Sequence, residues 1–545
     1  MQNHRMRFLI LFFTLSLATG LLLAQQGTPP EQSNGNGPPQ FLTVPIQDRM
    51  RSVELDNGHV IYVPPVAREN IRDAGEGNAP GGGGGKPGGG GGGATDFGLT
   101  GGVPVTASCF GNSTNNFDAT CAKDSYQGEP ALASDATGGK LVGAQNDIYP
   151  GACSASAAAG AVGDCGLSVA VSGSGTTWQR FKLSRNWGGH NFLIGFDPSA
   201  TVDSQGNYFV AYGVSDSSGP NGIVVVRSTR ADGGTAWKKA NPVVLNLSGG
   251  QFEDKYWIAA DTNSSSPYRD RLYIAWDRNK GNNQILMVSF SGNQGQTWSS
   301  PKKINDGTSS FERVIYAFPA VAPDGTLYVL WHDYARRQIF IDKSTDGGVT
   351  WGRDVAVAST NIGFGVDILC NGGRSMSPAP QMAIDASGNV YVVFAKDDAA
   401  AGLNLDVFLT TSAKGGANWS APVRVSSTSA GHQYNPAIAI DSTSPTARIN
   451  VSYLDRRDDN GNCRTNTYLS RSTDGGATFS TPDTKVSDAD SNFDGNPNGP
   501  GDYSGIATLG TTAYPYFADH RDANDDNDNS SGTIDGGFEV YSAIE

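Results

Sequence analysis

The sequence of 545 residues has little charge and none of the common zinc-binding motifs. Only 17% of its residues are charged, and 53 acidic residues against 39 basic ones give a net charge of −14. An acidic chain is a poor partner for nucleic acid or for an anionic membrane. Six cysteines and six histidines occur without a Cys-x-x-Cys pair or a His-Glu-x-x-His motif, which argues against a zinc centre.

Glycine and strand-forming residues are plentiful instead. Glycine accounts for 71 of the 545 residues, and 9% are aromatic. So many potential turns exclude a helical bundle or a coiled coil, while Val, Ile, Thr and Tyr favour strands. The composition therefore predicts a mostly β protein.

Residues 1–24 have the pattern of a secretory signal peptide: a basic start, apolar residues 8–23 and a small residue, Ala24. The alternative is a membrane anchor, but the apolar stretch is shorter than the roughly 20 residues that a spanning helix needs. Residues 25–98 are a Pro- and Gly-rich linker. We therefore expect a secreted protein, extracellular or periplasmic, that does not span the membrane.

Export would allow the six cysteines to form disulfides. Equal spacing within two pairs predicts the local links Cys109–Cys121 and Cys153–Cys165, which leaves Cys370 to pair with Cys463. Six cysteines allow about 15 pairings, so other connectivities stay open.

One short motif recurs through the second part of the chain, Ser-x-Asp-x-Gly-x-Thr-Trp. Its best copies are 344–351 and 472–479, and weaker copies end at Trp178, Trp237, Trp298 and Trp419. Ser and Asp side chains hydrogen-bond turn backbone, Gly allows positive φ, and the aromatic residue packs under a sheet. We interpret these residues as structural rather than catalytic.

A second element precedes each of these turns: an apolar strand, a Gly or Asp turn and another apolar strand. Seven copies lie between residues 129 and 545, one about every 60 residues. The pattern predicts an all-β fold over residues 99–545, a seven-bladed β-propeller of four-stranded antiparallel sheets, with six blades as the alternative. Because the seventh copy lacks an outer strand, we expect residues near Val103–Phe110 to supply it.

The repeated turn is the Asp-box, and its use across a propeller resembles the sialidase (neuraminidase) superfamily over roughly 129–545. Asp-boxes also occur in other propellers, so the resemblance bears on fold more than on activity. It implies a Tyr nucleophile assisted by a Glu, an Asp that acts as acid and base, and three arginines that bind a substrate carboxylate.

Matching positions give the candidate residues. The segment 501–507 resembles the start of the last sialidase blade and makes Tyr503 the candidate nucleophile. Asp164 matches the acid/base, and Arg457 or its neighbour Arg456 matches a clamping arginine. The assisting Glu with its Arg is best matched by Glu312 and Arg336, with Glu253 and Arg278 as the second choice.

Structural alternatives stand beside these assignments. Tyr503 would fill the closing blade, Arg456 and Arg457 would form a salt-bridged turn with the adjacent aspartates, and Asp164 would cap a disulfide-bonded loop. The sialidase Arg-Ile-Pro opening is replaced here by residues 128–130, so one clamping arginine is missing.

Oxygen-rich loops near the end of the chain suggest a cation. Asp490, Asn492 and Asp494 have the spacing that opens a calcium loop, although the usual glutamate at its twelfth position is absent. We expect a structural Ca²⁺ there and no other cofactor, with a hydrated acidic loop as the alternative.

Together these features predict a secreted propeller that acts on extracellular glycans. If it is an enzyme, the resemblance implies an exo-glycosidase of sialidase type. The alternative is a non-catalytic propeller that binds glycan or protein through its loops.

Overall fold

The structure is a computed structural model. It describes residues 116–119, 126–148, 153–156, 164–216, 219–281, 283–307, 313–368, 370, 375–399, 402–441, 447–493, 499–520 and 539–545, and the backbone of 51–54 and 60–63. The predicted disulfide Cys109–Cys121 lies outside these residues.

The chain forms a seven-bladed β-propeller, as predicted. Each blade is an antiparallel sheet whose strands follow one another outward from the axis. The strands of blades 1 to 4 are, in order, Tyr126–Asp135, Lys140–Ile148, Cys165–Ser172 and Gln179–Lys182; Ile194–Val202, Tyr208–Ser215, Asn221–Ser228 and Lys238–Lys239; Phe252–Ala260, Leu272–Lys280, Asn283–Ser291 and Lys302–Lys303; Val314–Val321, Leu327–Asp333, Gln338–Ser344 and Val355–Ser359.

Blades 5 to 7 complete the ring. Their strands are Gln381–Ile384, Val390–Asp397, Leu405–Ser412 and Val423–Arg424; Gln433–Asp441, Arg448–Asp455, Asn466–Ser472 and Thr484–Lys485; Gly505–Leu509, Thr512–Asp519, Glu539–Ala543 and Asn116–Asp118. Blade 2 carries an additional short strand, Val244–Asn246, and separate hairpins pair Asn186–Trp187 with His190–Asn191 and Arg51–Glu54 with Val60–Val63. In the described part of the chain there is no helix that could cross a membrane.

The blades are held together because each sheet is buried on both faces. Second strands such as Leu327–Asp333 are buried at every position, which is why they are near-continuous apolar runs rather than alternating ones. The innermost strands contact their neighbours all round, and the first strand of blade 7 contacts that of blade 1. This packing closes the ring without leaving an open edge at its centre.

The seventh blade is closed by a strand from before blade 1, but not by the predicted one. Asn116–Asp118 pairs with Glu539–Ala543, whereas Val103–Phe110 lies outside the described residues. The prediction was wrong in position because Asn116 anchors the segment: its Nδ2 donates to the carbonyl oxygen of Val486 (2.8 Å), and its Oδ1 accepts from the amide of Asp488 (3.0 Å).

The inner strands share a backbone irregularity near their first residues. Glu129, Asp197, Lys255, Tyr316, Ala379, Asn435 and Gly501, one residue per blade, all have positive φ, from 41° to 84°. In blades 1, 2, 3, 4 and 6 the pairing with the second strand shifts register at this point, as in a β-bulge. We call these seven residues the bulge ring.

The Asp-box turns lie at the opposite end of the sheets, after the third strands. In the copy at 344–351, Ser344 Oγ donates to Asp346 (2.7 Å), and Asp346 accepts from the amide of Thr350 (2.8 Å). Hydrogen bonds from Thr350 lower the pKa of Asp346 to about 2. The same bonds recur at 472–479. They hold a turn locally, which supports a structural role.

Two predicted disulfides are present. Cys153 is bonded to Cys165 and Cys370 to Cys463, with Cα–Cα distances of 5.4 Å in both. The first ties the loop after the second strand of blade 1 to its third strand. The second links the loop before blade 5 to blade 6.

Blade 4 differs from blades 5 and 6 at one buried position. Two residues before the end of their third strands, Thr410 and Ser470 donate hydroxyl hydrogen bonds to the neighbouring outer segment (2.8 and 2.7 Å). Blade 4 has Asp342 there, whose Oδ2 has no hydrogen-bond partner. Burial, aided by nearby Asp306, raises the pKa of Asp342 to about 6.

We expect Asp342→Ser to stabilise the protein at pH 8 but not at pH 4. A raised carboxyl pKa favours the protonated form in the fold, so the stability that it contributes is present below pH ~4 and is lost as pH rises through ~6. After allowance for solvent screening we expect about 1 kcal/mol, measured by urea unfolding at both pH values. Equal effects at the two pH values would contradict this assignment.

Candidate active site

Four ionisable side chains meet on the propeller axis. The ammonium of Lys255 lies 2.5 Å from Asp502, 2.7 Å from Asp197 and 3.4 Å from Glu129. No side chain of the four is more than 6% exposed. Three of them belong to the bulge ring, and Asp502 follows its Gly501. We call this group the axial cluster.

The bulges bring these side chains together. Lys255 stands in blade 3, Asp197 in blade 2, Glu129 in blade 1 and Asp502 in blade 7, so residues far apart in sequence reach one point from four blades. A regular strand would have directed alternate residues into the interblade core. A residue with positive φ near the start of the strand directs its side chain toward the axis instead.

Asn146 binds two residues on one side of the cluster, Glu129 through its carboxylate and Asp197 through its backbone amide. Its Nδ2 donates to Glu129 Oε2 (2.7 Å), and its Oδ1 accepts from the amide of Asp197 (2.9 Å). The amide of Asp502 donates to Glu129 Oε1 (3.3 Å). Each of these hydrogen bonds holds a cluster residue in place before any ligand arrives, which is the preorganisation that a reactive site needs.

Lys255 is the shared partner of three carboxyl groups. Burial alone would lower the pKa of Lys255, but the carboxylates, Asp197 first, outweigh it and hold this pKa well above its usual value. Asp254 and Asp277, cross-strand partners in blade 3, add further carboxyl groups. Burial and then Asp254 raise the pKa of Asp277 well above its usual range, because so many anions cannot all ionise together.

A cavity of about 350 Å³, including its open mouth, adjoins Lys255. Its walls come from the bulge positions of blades 3, 4, 5 and 7 and are mainly aromatic and aliphatic. The lining residues are Lys255, Tyr256, Trp257, Tyr316, Ala317, Phe318, Ala379, Pro380, Gln381 and Tyr503. Trp257 is half-buried and central, with Phe318 stacked on it at 4.8 Å and Tyr503 edge-on at 5.2 Å.

Tyr503, the predicted nucleophile, therefore lies in the axial cavity. Its hydroxyl donates to the carbonyl oxygen of Pro198 (3.0 Å). Burial, followed by the charges of Asp197 and Glu129, raises its pKa well above the usual value. The phenol is thus neutral in this structure, and its nucleophilic role stays a prediction.

Asp164, the predicted acid/base, lies in blade 1 beside the disulfide. Its carboxylate contacts Arg185 (3.0 Å) and Lys182 (3.6 Å), and it is 1% exposed. Lys182 also binds Asp147 (3.0 Å). These contacts place Asp164 in an ion-pair network of blade 1, and a role in acid–base chemistry is untested.

The predicted arginines lie in three different settings. Arg457 binds Asp455 and Asp483 of blade 6, and its guanidinium covers the ring of Tyr468 at 4.2 Å. Arg456 is fully buried, and its NH1 donates to the carbonyl oxygens of Ile368 (2.7 Å) and Asn462 (2.6 Å).

Arg336 is largely exposed and pairs with Asp333 at 3.0 Å. Its proposed partner Glu312 lies outside the described residues. The second choice, Glu253 with Arg278, forms a buried pair at 2.8 Å in blade 3.

The predicted calcium residues are described only in part. Asp490 lies 3.6 Å from Lys485, and the amide of Asn492 donates to the carbonyl oxygen of His520 (3.0 Å). Asp494 lies outside the described residues. Within the described ranges no group of three or more His, Cys, Asp or Glu side chains is arranged to hold a metal ion, and the calcium site stays a prediction.

Sequence analysis missed the axial cluster. A signal for it exists, because four of the seven bulge residues precede a proline: Glu129, Asp197, Ala379 and Asn435. Alignment of the seven copies on that position would have placed Lys255 and Gly501 in the same column.

Comparisons with known proteins give structural neighbours only. No family model matches the chain, and no curated protein matches it in sequence. A protein of unknown function from Dyadobacter fermentans is 12% identical, with a TM-score of 0.41 over 79% of this chain and 98% of that one. The Hadza microbial sialidase Hz136 is 16% identical (TM-score 0.40; 62% of this chain, 63% of that one).

An α-L-arabinanase from Penicillium chrysogenum is 11% identical, with a TM-score of 0.43 over 79% of this chain and 98% of that one. At such identities and scores the likeness identifies no substrate and no mechanism.

Proposed function

We propose that this protein acts on extracellular glycans and hydrolyses a terminal glycosidic bond in the axial cavity. The observation that carries the proposal is that Lys255, which binds the carboxylates of Glu129, Asp197 and Asp502, also lines an aromatic cavity. Deep, mostly apolar cavities with a few convergent polar groups are the usual form of a ligand site. The two disulfides support an oxidising, extracellular setting.

The cavity suits a sugar ring. The C–H faces of a pyranose or furanose are apolar and pack on flat aromatic rings, a role that Trp257 and Phe318 can fill. Sugar hydroxyls donate hydrogen bonds, which the carboxylates of the axial cluster would accept once Lys255, the one cluster residue that lines the cavity, moved aside.

The axial carboxylates also suit glycoside hydrolysis. Most glycosidases use two carboxyl groups, one that protonates the leaving oxygen and one that attacks the sugar or activates water. The three carboxylates of the axial cluster lie close together, because all of them contact one ammonium. A sugar that displaced Lys255 from one of these carboxyl groups would gain access to that group.

A sialidase-type route through Tyr503 is the other possibility within this function. Tyr503 lies in the same cavity, and Glu129 and Asp197 are near enough to affect its pKa. This route requires deprotonation of a hydroxyl that now donates to Pro198, and a cationic clamp for the substrate carboxylate. The carboxylate route needs neither change, so it is the one we favour.

The test is hydrolysis of a panel of fluorogenic glycosides, both neutral and sialylated, by the purified protein. We expect Asp502→Asn and Glu129→Gln each to lower kcat/KM by about 100-fold or more, because acid–base groups contribute this much. Tyr503→Phe should keep most of the activity. Asp324→Asn, an exposed carboxylate paired with Lys414 in a turn of blade 4, is the matched control and should have no effect.

Three other results would change the assignment. Loss of activity only in Tyr503→Phe would support the sialidase-type route. Glycan binding without turnover would favour a non-catalytic binding propeller, a candidate supported by the near-complete burial of the axial carboxylates. No binding and no turnover across the panel would refute the proposal.

A further inference from the structure

We propose that the axial cavity selects a sugar that carries a methyl group in place of a hydroxymethyl group, that is, a 6-deoxy sugar. The sugar part of this inference rests on the proposed function, whereas the preference for an apolar substituent rests on the wall of the cavity. Two features give this preference: the atoms that the wall presents, and the partners to which its polar groups are bound.

The wall of the axial cavity presents almost only carbon atoms to the interior. Trp257, Phe318 and Tyr503 contribute aromatic rings, and Ala317 and Pro380 contribute aliphatic groups. An apolar substituent that enters such a site is removed from water, and the gain scales with the apolar area that it buries. A hydroxyl group that enters the same site costs free energy unless it finds a hydrogen bond there.

Several polar groups of the lining residues are bound to partners outside the cavity. The hydroxyl of Tyr503 donates to the carbonyl oxygen of Pro198 (3.0 Å), and that of Tyr256 donates to a backbone carbonyl of blade 2. The Nε2 of Gln381 donates to the carbonyl oxygen of Ser504 (2.9 Å). Hydrogen bonds within the propeller thus set the orientation of these groups, in accord with a wall that presents carbon.

Lys255 is the one charged residue among the described residues that line the cavity, and it is held in the same way. Its ammonium lies 2.5 Å from Asp502, 2.7 Å from Asp197 and 3.4 Å from Glu129. These contacts occupy the three hydrogen-bond donors that an ammonium has. While they are in place, a substituent beside Lys255 meets the aliphatic stem of this side chain rather than its charge.

The methyl group of a 6-deoxy sugar suits this wall better than other sugar substituents do. An acetamido group also ends in a methyl, but it brings an N–H and a C=O that both need partners. A carboxylate would carry a full charge into an apolar site. A hydroxymethyl group differs from a methyl by one oxygen, and a wall of carbon leaves that oxygen without a hydrogen bond.

The experiment is isothermal titration calorimetry of the full-length protein with two matched pairs of methyl glycosides, those of L-fucose and L-galactose and those of L-rhamnose and L-mannose. The members of each pair differ by a single oxygen, the hydroxyl at C6. We expect the 6-deoxy member of at least one pair to bind about tenfold or more tightly than its partner, which is the discrimination that an apolar pocket achieves for one small group.

Ala317→Ser tests the wall itself. The variant adds a hydroxyl group to the wall, so we expect the preference for the 6-deoxy member to fall to less than about threefold, because the hydroxymethyl group then has a partner. Ala320→Ser is the matched control, since Ala320 lies three residues further along the same strand and does not line the cavity. It should keep the preference of wild type. Circular dichroism checks that both variants fold.

The outcomes separate this inference from the proposed function. Equal or tighter binding of the hydroxylated member in both pairs, no binding of any of the four glycosides, or an unchanged preference in Ala317→Ser would overturn the inference, even if a glycoside were hydrolysed. A preference for a 6-deoxy member without hydrolysis of any fluorogenic glycoside, 6-deoxy ones included, would uphold the inference and favour the non-catalytic binding propeller over hydrolysis.

Discussion

Replacement of Lys255 by Met is expected to lower the free energy of unfolding by about 3–5 kcal/mol, the usual cost of removing one partner from a buried ion pair. Met preserves most of the side-chain volume, so the loss measures charge rather than packing. Without the ammonium, Glu129, Asp197 and Asp502 would remain buried beside one another and would lose the ion pair that they share. Urea unfolding at pH 8 gives the measurement.

Two comparisons test whether the loss of stability in Lys255→Met comes from the lost charge. Lys414→Met removes an exposed pair with Asp324 at 2.9 Å and should cost less than about 1 kcal/mol. Wild type should lose stability at high pH, since the raised pKa of Lys255 makes its contribution complete below about 10.5 and progressively lost as pH rises from there through the raised value. A Lys255→Met protein as stable as wild type would show that the axial cluster is not ionised.

The repeat could be recognised in the sequence because it consists of local features. In an Asp-box such as 344–351, the hydrogen bonds of the Ser and Asp side chains that shape the turn lie within eight residues, so the pattern survives in the sequence and predicts a hairpin turn. Second strands such as Leu327–Asp333 are buried on both faces, and the first five residues of this strand are an unbroken apolar run. Count and spacing of these two elements were enough to predict seven blades.

The candidate site was harder to predict because it is assembled across blades. Glu129, Asp197, Lys255 and Asp502 share a backbone position but not a residue type, so no motif connects them. Conversely, the sequence made Arg457 a reasonable candidate for binding a substrate carboxylate. In the structure its guanidinium is bound by Asp455, two residues before it, and by Asp483, in the next outer segment. The sequence showed that an arginine was present at this position, but not which carboxylate would bind it.

The prediction for Tyr503 lies between these two cases, because its place at the axis was predicted from sequence but its hydrogen-bond partner was not. The segment 501–507 was identified from its likeness to the last sialidase blade, and it does lie at the axis. Its hydroxyl partner, the carbonyl oxygen of Pro198, comes from blade 2, more than 300 residues away in sequence. Only the closed ring brings the two together.

Closure of that ring makes Gly501 the second position at which we expect a large effect. Its φ is +84°, and a Cβ atom there would lie 2.5 Å from both the amide nitrogen and the Cγ of Glu129. The first of these is backbone, which cannot turn away as a flexible side chain can. Gly501→Ala should therefore push blade 7 away from blade 1 or displace Glu129 from Lys255.

We expect Gly501→Ala to cost about 3 kcal/mol or more in urea unfolding, the size of effect seen when a special backbone position and a packed contact are lost together. Gly510→Ala is the matched control, because Gly510 also has positive φ (+60°) but has no atom within 4 Å of the added Cβ. It should cost only about 1 kcal/mol, the penalty of the left-handed conformation. The difference between the two variants isolates the contact between the last blade and the first. Equal losses would mean that Gly501 does not approach Glu129 this closely, and the axial cluster would then have to form without the seventh member of the bulge ring.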